Sequence, residues 1–160
     1  MAERGALRRL GTFVTSGPVR QMLCLEAAFA LLHARVMLLL VPFQKLAGRW
    51  GTLAPVGDPR LATTPLSPDL QQIARDIGWA VTAIATVMPF KAMCMQQAVA
   101  AHAMLARRGV SGVMHYGAGH DEKGVLIAHA WLEAGGVKVT GYPVAPNIVE
   151  IGAFVRYHAD

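Results

Sequence analysis

The stretch Pro89-Phe90-Lys91-Ala92-Met93-Cys94-Met95-Gln96-Gln97-Ala98-Val99-Ala100-Ala101-His102-Ala103-Met104-Leu105-Ala106-Arg107-Arg108-Gly109 governs how the other residues are read. It predicts one helix. Pro89 can begin a helix but not continue one, Arg107 and Arg108 suit the negative C-terminal end, and Gly109 supplies a left-handed stop. Cys94 then falls in the first turn, where unpaired backbone N–H groups carry partial positive charge. That environment favours thiolate over thiol, which a nucleophilic cysteine needs and a packing cysteine does not.

After Gly109 the period changes from helical to alternating. Val110–Tyr116 is predicted as a strand, 117–124 as a turn, Val125–Glu133 as a second strand, and Ala134-Gly135-Gly136 as a hairpin into Val137–Thr140. The tail 148–157 is expected to close the sheet as a short strand or helix. Alternation puts Val125, Ile127, His129, Trp131 and Glu133 on one face of the second strand. If the cysteine helix packs on that face, His129 comes within hydrogen-bond reach of Cys94 and can serve as its general base.

Before Pro89, Ser67-Pro68-Asp69 is a strong helix start, with an N-cap, a proline and an acid in order, and apolar residues recur at helical spacing to Val87. The stretch Thr52–Pro65 has prolines, glycine and no period, so it reads as a strap or linker. Pro18–Leu40 is a long helix, apolar nearly all round. Its length suits a bilayer, but Glu26, His33 and Arg35 fall inside it, which favours a buried or partner-covered helix over a membrane span. The organisation expected is an arm at 1–17, a helical, partner-docking region with a linker at 18–66, and an α+β core at 67–160.

The chain has 160 residues, enough for one domain with its own core. A hydrophobic fraction of 54% and a mean hydropathy of +0.38 are high for a soluble domain and point to apolar surface covered by a partner. The net charge of +5 comes from scattered basic residues without interleaved aromatics, which argues against nucleic-acid binding. Only two cysteines are present, Cys24 in an apolar helix and Cys94 at a helix start, so a disulfide framework is not indicated and a reducing cytoplasm fits. No Cys-x-x-Cys or His-x-x-x-His pair occurs, so neither a metal site nor a cofactor is expected.

Cys94 opening an apolar helix, the Arg107-Arg108-Gly109 stop, and Ala128-His129-Ala130-Trp131-Leu132-Glu133 ahead of a Gly-Gly hairpin together form a signature. Leu25-Glu26-Ala27 in the long helix and Val41-Pro42-Phe43 after it extend that signature. The chain resembles the transglutaminase-like cysteine proteases of lasso-peptide biosynthesis, leader peptidases similar to the C-terminal domain of the microcin processing protein. The resemblance implies a transglutaminase-like or papain-like α+β fold, with an N-terminal helical region and a small antiparallel sheet on the cysteine helix. It further implies cleavage of a leader from a precursor peptide by a Cys-His-Asp triad in the cytoplasm. A separate leader-recognition protein and an asparagine-synthetase-like cyclase are the partners implied.

The chain departs from that family at the third residue, since Val137–Tyr142 contains no Asp. An Asn or a backbone carbonyl can also fix an imidazole tautomer, and Asn147 is the candidate orienter. Trp131 and Gln97 are candidates for substrate contact, although Trp131 more simply packs over the His129 ring. The amide of Cys94 is the first candidate oxyanion donor. Arg107 and Arg108 read as solvated ends and His120-Asp121 as a solvated turn. Two other functions fit the same residues: a non-catalytic scaffold in which the missing Asp marks a lost activity, and an acyltransferase using the same Cys-His pair.

Overall fold

The computed structural model describes residues 17–155. Helix α1 spans Pro18–Leu40 and α2 Phe43–Trp50; strand β1 is Thr52–Pro55, followed by a single 3-10 turn at Pro59–Leu61. Helix α3 is Pro68–Ala85 and α4 Cys94–Ala106; β2 is Val113–His120, β3 Leu126–Ala134, β4 Val137–Thr140 and β5 Ile148–Val155. The architecture is α+β, with one five-stranded antiparallel sheet in the order β1-β5-β2-β3-β4.

The helices form one layer on the sheet. α1 packs against α3 and α4, α3 against β4, and α4 against β3 and β4. Alanines make that closeness possible: Ala27, Ala34, Ala74, Ala80, Ala98 and Ala101 are all fully buried between helices. Leu31, Ile77, Met104, Leu105, Met114 and Leu132 fill the space between, so a Leu to Ala change at one of them would cost about 2–5 kcal/mol. Phe43, Trp50 and Phe154 meet edge to face and seal the β1–β5 end.

Several expectations hold at residue level. Ser67 Oγ accepts from the Leu70 amide and starts α3. Gly109 has φ of 69°, and the Val110 amide returns to Leu105 O to close α4. β4 lies where the hairpin placed it.

Others are corrected. α4 begins at Cys94 and not at Pro89, because side chains cap it there: Gln96 Oε1 accepts from the Met93 amide, and Gln97 Nε2 donates to Ala92 O at 2.8 Å. The strap opens with a strand, β1, paired with β5, so the 18–66 region contributes to the same sheet as the residues after it. Residues 117–120 continue β2 instead of turning. At Gly117 and Gly119 a Cβ would collide with the backbone of Val149 in β5 and of Asn147 just before it, so these glycines permit close strand approach. The tail is a strand through Val155. The 1–17 arm, apart from Gly17, lies outside the described residues, as do Tyr157, His158 and Asp160.

Candidate active site

Cys94 is the first residue of α4, and its side chain is half-buried. The Met93 and Ala92 backbone is tied down by Gln96 and Gln97, which fixes the chain entering the helix. The amides of the first turn are therefore presented beside the thiol, the arrangement that stabilises a developing oxyanion. Gln97 has a structural task, holding the loop before Cys94, and its amide lines a cleft of about 530 Å³ between the end of α3 and residues 88–92.

His129 is in the first half of β3, half-buried. Its Nε2 lies 2.7 Å from the carbonyl oxygen of Gly141, just past β4. A carbonyl only accepts, so Nε2 carries the hydrogen, and in the neutral ring Nδ1 keeps the lone pair of a base. The orienter is thus a main-chain oxygen. Asn147 does not hold this place: its Nδ2 donates to His120 O at 2.7 Å, at the far end of β2.

Trp131, 7% exposed, stacks with His129 at 5.8 Å and 21°, and with His115 at 5.5 Å and 3°. His115 sits opposite Trp131 across β2 and β3, and its Nδ1 meets Glu150 Oε1 at 2.6 Å. The sequence suggested Trp131, but not the pairing of His115 with Glu150. Their strands are consecutive neighbours in the sheet only after β5 is inserted beside β2, which no local pattern reveals. Tyr142 adjoins this group; burial, then the charges of Glu133 and Glu150, push its phenol up to about 12.

The face relationship differs from the expectation. Ala130, Leu132 and Ala134 pack into the helical layer, so α4 covers their face of β3, while His129, Trp131 and Glu133 project from the other. Glu133 there receives a 3.4 Å hydrogen bond from Thr63 of the strap. The cause is composition: the small and aliphatic alternate set fits against an alanine-rich helix, and the His-Trp-Glu set does not. No hydrogen bond joins Cys94 Sγ to the His129 ring, whose Nε2 is committed to Gly141.

Cys24 contrasts with Cys94. It is buried in α1, and that burial pushes its thiol up against a smaller opposing effect from Arg20. Arg107 and Arg108 are not solvated ends: both donate to Glu26 of α1, at 2.7 Å from Arg107 and 2.6 Å from Arg108. His120 ends β2 and only Asp121 belongs to the turn, its Oδ1 accepting from the Lys123 and Val125 amides.

A helix opened by a cysteine and followed by a hairpin with a tautomer-fixed histidine is matched by a family model. The model for the transglutaminase-like superfamily covers residues 37–149, well over half of the chain and including Cys94, His129 and Gly141. The chain belongs to the transglutaminase-like superfamily. This is a fold of cysteine proteases and acyltransferases, and the α+β architecture described above agrees with it. Comparison with curated proteins and with solved structures returns no match. Within the matched region, the carbonyl of Gly141 is the hydrogen-bond partner of the His129 ring.

Proposed function

We propose that this chain is a cytoplasmic cysteine peptidase that removes the leader from a ribosomally made precursor peptide, as in lasso-peptide biosynthesis. The observation that carries the reading is the fixed tautomer of His129: Nε2–H is held by Gly141 O, leaving Nδ1 to take a proton. Its nucleophile is Cys94, at the first position of a helix within the same superfamily fold. The leader-peptidase assignment is supported by the sequence resemblance through the cysteine helix, the His-Ala-Trp strand and the N-terminal helix.

The Cys94 thiol gives its proton to His129 as sulfur attacks the carbonyl at the leader–core junction. The first-turn amides of α4 receive the oxyanion. Collapse of the tetrahedral species breaks the C–N bond, with the imidazolium returning the proton to the departing amine. Water, deprotonated by His129, then cleaves the thioester and regenerates the thiol. Because α4 covers the opposite face of β3, the proton transfer requires substrate binding to bring Cys94 and His129 together. Trp131 holds the ring of His129 during this approach.

A separate leader-recognition protein delivers the precursor, and an asparagine-synthetase-like cyclase closes the ring after cleavage. Mass spectrometry of a precursor incubated with this chain and the leader-recognition protein tests the proposal, for the native chain, Cys94→Ala and His129→Ala. A leader-sized product from the native chain that is lost in both variants supports it; product that persists in Cys94→Ala overturns it. The absent acidic orienter and the unformed Cys94–His129 hydrogen bond favour one other reading, a scaffold without activity, which predicts no product from any version.

A further inference from the structure

Helix α1 buries Cys24, Ala27, Ala30, Leu31 and Ala34 against α3 and α4. Its outer side carries Met22, Leu25, Phe29, Leu32, Val36 and Leu39, each between 41% and 73% exposed. The steps between these six alternate strictly between three and four residues. That is the 3.5-residue repeat of a coiled-coil seam, with Met22, Leu25 and their successors in the a and d positions. The helix thus directs its small residues inward and its large a/d residues into solvent.

We propose that α1 pairs antiparallel with α1 of a second copy of this chain through this seam. The seam is self-complementary about a point between Ala30 and Leu31. In an antiparallel pair Met22 lies against the partner's Leu39, Leu25 against the partner's Val36, and Phe29 against the partner's Leu32. Every layer then joins an a to a d residue, and the two-fold axis fills all six layers with apolar side chains. The flanking groups agree: Glu26 comes opposite the partner's His33 and Arg35 opposite the partner's Ala28, so no like charges are opposed. A parallel pair would stack Phe29 on itself and align the two helix dipoles, which antiparallel pairing avoids.

The area is sufficient. Six large side chains at these exposures remove on the order of 1,000 Å² across two copies, where specific interfaces begin. A bilayer fits the same surface less well. α1 is long and apolar enough to span one, but Glu26, His33 and Arg35 interrupt the flanks of the stripe, and a helix lying on lipid uses a broad apolar face bordered by free basic residues. Arg20 and Arg35 are already placed over the rings of Trp79 and Phe90, at 5.1 and 5.7 Å.

Sedimentation velocity of the full chain across a concentration series tests the pairing. The native chain is expected at twice its 17.1 kDa, and Phe29→Glu and Leu32→Glu at the single-chain mass, with circular dichroism unchanged because both side chains face out and with melting no longer dependent on concentration. Under oxidation, the Phe29→Cys/Leu32→Cys double variant is expected to form a covalent dimer and Phe29→Cys alone is not, which separates antiparallel from parallel pairing. A native monomer at tens of micromolar, or a dimer indifferent to Phe29→Glu, overturns the proposal. A monomer that floats with phosphatidylcholine–phosphatidylglycerol vesicles, and loses that binding in Phe29→Glu, also overturns it and gives the face to lipid.

Discussion

The imidazole of His129 donates from Nε2 to the carbonyl oxygen of Gly141 at 2.7 Å, so a main-chain group, carrying no charge, sets the tautomer of the candidate base. Gly141 has φ of 81°, and a Cβ added there would overlap Ala130 O and the Cα and Cβ of Trp131. Gly141→Ala should push the carbonyl off the ring. Turnover in the proposed peptidase reaction should fall about 10- to 100-fold with KM nearly unchanged. The ¹⁵N shifts of His129 should also lose the single Nε2–H tautomer, a signature that simple destabilisation would not produce.

The two cysteines should differ in reactivity. Burial pushes the Cys24 thiol up and shields it, while Cys94 is half-exposed at a helix start. Brief iodoacetamide treatment of the native chain near neutral pH should carboxymethylate Cys94 and spare Cys24 until denaturant is added, as peptide mapping would show. Cys94→Ala should lower turnover by about 10⁴-fold or more with little change in melting temperature.

Glu26 ties α1 to the end of α4, and the hydrogen bond from Arg108, more than that from Arg107, holds its carboxyl below the usual carboxylate range. A carboxyl lowered by folding stabilises above its unfolded value, about 4.3, and that stability is lost as pH falls through the folded value. Glu26→Gln should therefore cost about 1 kcal/mol in urea unfolding at pH 7, a modest figure because the group is partly exposed. The difference from the native chain should fade as pH falls below about 4.

Tyr142 supplies the opposite case. Its phenol, raised to about 12 by burial and then by Glu133 and Glu150, stays neutral in the fold when the unfolded chain has begun to ionise at about 10. That contribution is complete below about pH 10 and disappears as pH approaches the folded value. Tyr142→Phe should flatten the alkaline fall in stability, followed by unfolding curves between neutral and alkaline pH.

What could be read ahead of the structure followed locality. The Ser67 cap, the Gly109 stop and the Gly135-Gly136 hairpin rest on neighbouring residues, and each was legible. The Pro89 start failed because proline permits a helix without requiring one; Gln96, three residues after Met93, was the better signal. β1 was missed because its partner, β5, lies about a hundred residues later and its Thr-Leu-Ala-Pro run has no pattern of its own. Cys94 and His129 were legible as candidates by residue type and position, and the structure places Cys94 at a helix start and His129 on β3. Gly141 was not, since the group that acts is a carbonyl that every residue possesses. Alternation showed that His129 and Trp131 share a face, but which face the helices cover depends on how the alanines of α1, α3 and α4 nest, a three-dimensional outcome.

The Glu26 latch has a mechanical consequence. α4 carries Cys94 at one end and, about 20 Å along its axis, Arg107 and Arg108 at the other. It therefore behaves as a strut, pinned in front by Gln96 and Gln97 and behind by Glu26. Because Glu26 borders the outer stripe of α1, one carboxylate joins that stripe to the helix that begins at Cys94.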